Sequence, residues 1–283
     1  MNALIVGKSG QVAWELMQTC PEHINAVALG RGDIDITSQE SIESAIETHK
    51  PKVIINASAY TAVDKAESDI ENAYLINATA VELLAKAANK HQIRLLHIST
   101  DFVFDGSKNT PYEVNDQTNP VNVYGASKLA GEEAIKTYHA DNSSIVRTSW
   151  VYSSHGNNFV KTMLRLMSEK EALNVVSDQI GCPTNANGLA KYLWQLAEQE
   201  NLEQVYHYSD LGVASWYDFA VAIQDIAFAN GLLEKKIPIN PIPASAYPTP
   251  AKRPSFSLMA SNASNASNSH WMNQLNNLLA SLK

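Results

Sequence analysis

Short apolar runs alternate with stretches of helical periodicity through the first half of the chain. Leu4 to Val6 precedes Val12 to Cys20, Asn25 to Leu29 precedes Ser38 to His49, and Val53 to Asn56 precedes Ile70 to Asn89. Leu95 to Ile98 then leads to a helix containing Tyr124 to Tyr138, and Ser144 to Arg147 follows. Strands separated by helices of this length predict right-handed βαβ units and a parallel sheet. The expected fold class is α/β, a doubly wound, Rossmann-like parallel sheet.

Beyond Trp150 the rhythm loosens. Residues 1–150 are expected to form the doubly wound domain and residues 151–283 mainly a smaller C-terminal lobe. Leu173 to Val176 and Gln204 to Tyr208 still read as strands, and are expected to join the first sheet. Trp216 to Asn230 is an amphipathic helix with Ser215 as N-cap and Gly231 as its stop. Pro238 to Pro254 reads as a loop. The threefold Ala-Ser-Asn repeat from Ala260 to Asn268 reads as a solvated or mobile connection. Helical spacing resumes at Trp271 to Leu282, where Trp271, Leu275, Leu278 and Leu279 would dock a last helix.

A chain of 283 residues is long enough for one large domain or one domain with an appended lobe. Its net charge of -8, with no basic stripe, argues against a nucleic-acid partner. No run approaches the roughly 18 apolar residues of a membrane span. Met1 to Gly7 has no positive n-region and reads as a first strand and not a signal peptide, so a cytoplasmic location is expected. Cys20 and Cys182 lie far apart without Cys-x-x-Cys spacing, which fits reduced structural thiols. The Asn-x-Ser/Thr triplets at Asn77 and Asn262 carry no weight without secretion.

Candidate chemistry begins at the first turn. Gly7-Lys8-Ser9-Gly10-Gln11-Val12-Ala13 follows strand one and opens helix one, where exposed N–H groups suit a pyrophosphate. The motif alone is weak, since turn glycines need no ligand, but its place after the first strand favours a nucleotide. Many NAD enzymes end strand two with an acid for the ribose. This chain has Leu29-Gly30-Arg31-Gly32, and an arginine suits a 2′-phosphate, so NADPH is favoured while Asp33 and Asp35 keep NADH open. Asp35 and Ile36 are expected near the adenine. Strand three closes with Asn56-Ala57-Ser58-Ala59-Tyr60-Thr61, whose small residues let backbone approach a cofactor, and strand four closes at the same edge with Ser99-Thr100-Asp101.

Tyr124 and Lys128 stand four apart, on one face of a helix, where an ammonium can favour ionisation of a phenol. With eleven Tyr and sixteen Lys, roughly 0.6 such pairs arise by chance, so the pair counts only through its context. Thr100 supplies that context, because its register would bring two hydroxyls to one carbonyl.

These strings carry a resemblance along the whole chain. Thr61-Ala62-Val63-Asp64-Lys65-Ala66-Glu67, Ser99-Thr100-Asp101-Phe102-Val103-Phe104-Asp105-Gly106, Tyr124-Gly125-Ala126-Ser127-Lys128, Arg147-Thr148-Ser149-Trp150, Asp178 to Thr184 and Lys252-Arg253-Pro254 resemble an extended short-chain dehydrogenase/reductase, specifically the dTDP-4-dehydrorhamnose reductases. The resemblance implies reduction of the C4 keto group of dTDP-4-dehydro-β-L-rhamnose by a nicotinamide. It implies Tyr124 as proton donor, Lys128 as the residue that lowers its pKa, and Thr100 as a hydrogen-bond partner of the reacting oxygen. Gly7, Ser9, Gly10, Gln11, Val12, Arg31, Asp35, Ile36, Ala57, Ala59, Tyr60, Thr61, Tyr124 and Lys128 would hold the cofactor. Thr61, Val63, Thr100, Asp101 and Trp150 would face the dTDP-sugar. A silent dinucleotide-binding regulatory subunit and a sister epimerase or dehydratase are the alternatives.

Three positions depart from the family pattern: Phe102 stands for Tyr, Ala13 for a third glycine, and Asn187 for an acid. Some relatives bridge a dimer with magnesium held by acidic residues. Here Glu15 is present, but Asn187 is neutral and no Asp or Glu follows Arg253. Too few anionic ligands remain. No magnesium or other metal is expected, and the chain is expected to be a monomer or a weak homodimer.

Overall fold

The computed structural model describes residues 1–262 and 269–282. Its centre is a six-stranded sheet made of β1 (Asn2–Val6), β2 (Asn25–Leu29), β3 (Val53–Asn56), β4 (Arg94–Thr100), β5 (Ser143–Thr148) and the strand Val205–His207. The order is β2-β1-β3-β4-β5 and then Val205–His207, and every pairing is parallel. Strand order reverses at β1, so the crevice between the carboxyl ends of β1 and β3 is where such a sheet binds ligands.

The two faces of the sheet build two cores, because side chains alternate along each strand. Ile5, Ile55, Leu96 and Val146 face Leu189, Leu193 and Trp194 of helix Ala186–Glu198. Leu4, Ile54, Leu95 and Ile145 face Ile42 and Ile46 of helix Gln39–His49, Leu84 and Ala88 of helix Ala80–Lys90, and Ile135 of helix Val123–Tyr138. Helices on both faces explain why β3 and β5 are buried throughout.

Several expectations are corrected. Leu173–Val176 is a strand, but it pairs in parallel with Ile239–Ile242 and not with the central sheet. Local pattern marks a segment as extended without naming its partner. Here Val175 is drawn into a second core with Met163, Met167, Phe219 and Ile223. The stretch expected to be all loop thus contains a strand, and its Pro241 is tolerated in a sheet of only two strands. Of Gln204 to Tyr208, Val205–His207 does join the sheet, beside β5. The expected helix Ile70 to Asn89 is interrupted: Leu75–Thr79 forms a π-turn between Ile70–Tyr74 and Ala80–Lys90. Ala260–Asn262 is not loose, since the Ala260 N–H donates to the Tyr112 carbonyl (2.8 Å) and Asn262 Oδ1 accepts from the His207 N–H (2.8 Å). The rest of the repeat, residues 263–268, lies outside the described residues.

The C-terminal helices follow their sequence signals. Ser215 and Asp218 make a capping box for helix Trp216–Ala229, and Gly231 takes a φ of +74° beyond its end. Helix Trp271–Ala280 docks by Trp271, Leu275, Leu278 and Leu279. No described helix is long and apolar enough to cross a membrane.

One buried ion pair ties the sheet to helix Val123–Tyr138. Arg147 of β5 grips Glu132 through Nε (3.0 Å) and Nη2 (2.7 Å), while the Ser99 hydroxyl of β4 donates to the same carboxylate (2.5 Å). Both charges are almost fully buried. Arg147→Met leaves an unpaired buried carboxylate and is expected to cost about 3–5 kcal/mol, with much of the loss recovered on adding Glu132→Leu. Urea unfolding midpoints read both; a single variant as stable as the parent would contradict the assignment.

Candidate active site

Gly7 makes the first turn possible. Its φ is +111°, and a Cβ there would lie 2.9 Å from the Ala57 carbonyl at the end of β3. The next glycine, Gly10, caps helix Gln11–Gln18 without any side chain, and the first N–H bonded back into the helix is that of Trp14. A helix start left uncapped in this way fits a pyrophosphate. Gln11 anchors the turn from the far side, its Oε1 accepting from Asn158 (2.9 Å).

Ser9, Gly10, Gln11 and Val12 line a cleft of about 450 Å³. Ala57, Ala59 and Thr61 enter it from the end of β3, Thr100 and Asp101 from β4, Tyr124 and Lys128 from the helix, and Trp150 from beyond β5. Gly7, Arg31, Asp35, Ile36, Tyr60 and Val63 are not in its lining. Arg31 is exposed. Asp33 accepts from the Gly30 N–H (2.9 Å) and pairs with Lys8 (3.6 Å), while one oxygen of Asp35 takes both the N–H and the hydroxyl of Thr37 (2.9 and 2.6 Å). Tyr60 turns its hydroxyl to Asp69 (2.9 Å).

The loop carrying Ala59 to Thr61 is held by a residue that sequence reasoning missed. Asn77, buried in the π-turn, accepts from the Tyr60 N–H (2.8 Å) and donates to the Tyr60 carbonyl (3.1 Å) and to Ser127 (3.0 Å). In the sequence it stood out only as a glycosylation triplet. No local pattern announces a π-turn.

The reactive groups converge through close backbone packing. The Asn122 side chain caps helix Val123–Tyr138 by accepting from the Gly125 N–H (2.7 Å). A Cβ at Gly125 would stand 2.1 Å from the Phe102 carbonyl, so only glycine lets the helix start lie against the turn that follows β4. Tyr124 therefore comes beside Thr100, with the Phe102 ring packed edge-on against it at 5.7 Å. Burial pushes the Tyr124 phenol up to about 12, against the pull of a hydrogen bond from Thr100, and Asp101 adds to the rise. Burial likewise raises Asp101 to about 6, with hydrogen bonds from Ser257 and Thr100 opposing it.

Lys128 is buried, and burial brings its ammonium down to about 8 while Glu132 opposes the fall. Its Nζ donates to the Ile98 carbonyl (2.7 Å) and faces His97 Nε2 (3.1 Å). Desolvation, and not Lys128, sets the direction of the shift at Tyr124. Lys128 is anchored on β4, and desolvation governs the phenol. Desolvation thus favours the protonated phenol.

Trp150 sits on left-handed backbone, φ +47°, which is strained for a residue with a Cβ. Its indole is clamped between Gly181, where a Cβ would lie 2.9 Å away, and Trp216, stacked at 3.6 Å. On the far side of that stack a cavity of about 460 Å³ is lined by Phe159, Met163, Val175, Trp216, Tyr247 and Arg253. Sequence reasoning treated Trp216 only as the first residue of a helix. Arg253 is forked onto Asp64 at 3.0 and 2.8 Å.

No group of three or more His, Cys, Asp or Glu among the described residues is placed to hold a metal ion. Both oxygens of buried Glu15 are engaged within the chain, by Ser153 (2.6 Å) and by the amide of Asn187 (2.9 Å).

Two hydroxyls and a buried lysine at the carboxyl edge, beside a glycine turn at the switch point, are the arrangement of the short-chain dehydrogenase/reductases, which are oxidoreductases. Comparison with known proteins narrows the class. Residues 1–283 match the family model described as the RmlD substrate binding domain. A dTDP-4-dehydrorhamnose reductase of Aggregatibacter actinomycetemcomitans is 42% identical over 98% of each chain. Crystal structures of dTDP-4-dehydrorhamnose reductases from Clostridium acetobutylicum (TM-score 0.94, 35% identity, 100% and 99% of the two chains) and Bacillus anthracis, the latter in complex with NADP (TM-score 0.93, 34% identity, 99% of each), share the fold. The chain belongs to the dTDP-4-dehydrorhamnose reductase family.

Gly125→Ala forces the helix start away from Phe102 and separates Tyr124 from Thr100. A displacement of about 1 Å is expected to reduce turnover about 10²-fold. Steady-state kinetics on the folded variant check this, and near-parental turnover would contradict it.

Proposed function

We propose that the protein reduces the C4 ketone of dTDP-4-dehydro-β-L-rhamnose to dTDP-β-L-rhamnose with NADPH, in the cytoplasm, as a step towards cell-surface polysaccharide. The observation that carries this reading is that Thr100, Tyr124 and Lys128 line one cleft together with the start of the uncapped helix Gln11–Gln18. Residues 1–150 hold the dinucleotide, and residues 151–283 mainly hold the substrate.

The bound dinucleotide supplies the hydride that reaches the sugar C4. Tyr124 delivers its hydroxyl proton to the carbonyl oxygen as it becomes an alkoxide, and Thr100 shares that oxygen by a hydrogen bond. The Lys128 ammonium steadies the phenolate left behind, which regains its proton from solvent. Gly7, Ser9, Gly10, Gln11 and Val12 seat the pyrophosphate, with Asp35, Ile36, Ala57, Ala59, Tyr60 and Thr61 along the rest of the cofactor. Thr61, Val63, Asp101 and Trp150 face the sugar. The aromatic cavity beyond the Trp150–Trp216 stack suits a thymine ring, and Arg253 at its edge suits the diphosphate.

Support for NADPH over NADH comes from Arg31 at the end of β2 and from Lys8 nearby. Asp33 is already engaged by Lys8 and Gly30, and so is poorly placed to claim a ribose hydroxyl. The Bacillus anthracis relative, solved with NADP, agrees. With Glu15 satisfied inside the chain, the protein is read as a monomer or a weak homodimer without bridging magnesium.

Adding the keto sugar nucleotide to enzyme and NADPH is expected to consume NADPH in equal amount, with NADH giving a lower kcat/KM. Absence of consumption with either cofactor would overturn the proposal. Tyr124→Phe is expected to lower kcat by a factor on the order of 10² to 10⁴ while leaving NADPH affinity nearly unchanged; unaltered turnover would mean that the proton comes from elsewhere.

The pH profile has a definite sign. Reduction needs Lys128 charged, so kcat/KM is full below the lysine's value of about 8 and is lost as pH rises through it. A profile flat to pH 10 would contradict that requirement.

A further inference from the structure

We propose that His97 is a positioning residue that sets the alkaline limit of the reductase, its imidazole tautomer being chosen by Asn56 and presented to Lys128. The proposal deepens the reading of Lys128 as the cation that reduction requires, and rests on it.

Asn56 and His97 face each other across β3 and β4 in direct register, and both are buried. Asn56 Oδ1 accepts from the Ser58 N–H (3.1 Å) and from the Ser58 hydroxyl (2.6 Å). A backbone N–H can only donate, so the amide cannot be turned round. Its Nδ2 therefore points at His97 Nδ1, 3.0 Å away, with nothing but protons to offer. Nδ1 must be the bare nitrogen. A neutral imidazole then carries its proton on Nε2, which faces Lys128 Nζ at 3.1 Å.

An amine can accept that proton, whereas an ammonium has no lone pair and is opposed by it. Burial and the neighbouring lysine keep His97 itself neutral, far below its ordinary value. The other groups around Lys128 do not reverse the effect. From its own helix come Tyr124 and Glu132, and the Glu132 carboxylate is already taken by Arg147 and Ser99. From β4 comes the Ile98 carbonyl, and Asp101 beyond it faces Thr100 and Tyr124. The pairing of Nε2–H with Nζ thus works alongside desolvation to bring lysine titration into the working pH range.

The tautomer can be read without any substrate, by ¹⁵N NMR of the histidine-labelled intact protein. The expected result is His97 protonated on Nε2 and bare on Nδ1 across the neutral range. Asn56→Asp is the companion variant. One carboxylate oxygen still receives the Ser58 N–H, and the other accepts from the imidazole, so the proton moves to Nδ1 and a bare Nε2 turns to Lys128. The alkaline limb of kcat/KM is then expected to rise by about one pH unit or more.

A parental His97 protonated on Nδ1 overturns the proposal, even if the variant does not fold. So does a variant with switched tautomer whose limb stays in place, or one that loses rate equally at every pH. Failure of the reductase reading itself would appear differently, as absence of turnover in the parent with the tautomer as stated.

Discussion

The active-site helix lies against its surroundings backbone to backbone, and the site depends on that contact. Gly125 lets the start of helix Val123–Tyr138 touch the carbonyl of Phe102, and Gly131 lets its middle touch the carbonyl of Asn77. In each case a Cβ would stand at 2.1 Å. Close packing of this kind transmits displacement directly, since no flexible side chain lies between to absorb it. The separation of Tyr124 from Thr100, the reach of Lys128 to β4 and the placing of the Tyr60 loop all follow from where this one helix sits.

Behind the cleft the interior carries charge at considerable cost. Arg147, Glu132 and Ser99 form one closed set, and Asn56, His97 and Lys128 form another. The two differ in purpose. The first pairs opposite full charges and fastens helix to sheet. The second contains no anion, so its lysine is easily discharged while Tyr124, in front of it, holds its proton strongly. Burial moves the phenol of Tyr124 up and the ammonium of Lys128 down.

Much of this was legible in the chain because it is local. Strands β2 and β3 fall where apolar runs begin and end, and the capping signals at Ser215 and Gly231 are one-residue features. The glycine turn, Thr100, Tyr124, Lys128 and Trp150 share one cleft because strand ends in a parallel sheet share one edge. What stayed hidden depends on partners distant in sequence. Leu173–Val176 looks the same whether it joins six strands or pairs with Ile239–Ile242. Asn77 needs a π-turn to reach Tyr60, Trp216 needs Trp150 to become part of a cavity wall, and the direction of the Tyr124 shift needs the burial that only the packed helix provides.

The central claim is that hydride passes from the nicotinamide to C4 of the sugar while Tyr124 supplies the proton. Turnover with NADPH deuterated at the transferable C4 position, followed by NMR of the product, tests it most directly. The account predicts one deuterium on C4 of the 6-deoxysugar for each NADPH oxidised. Label absent from the product, or found at another ring carbon, would contradict it.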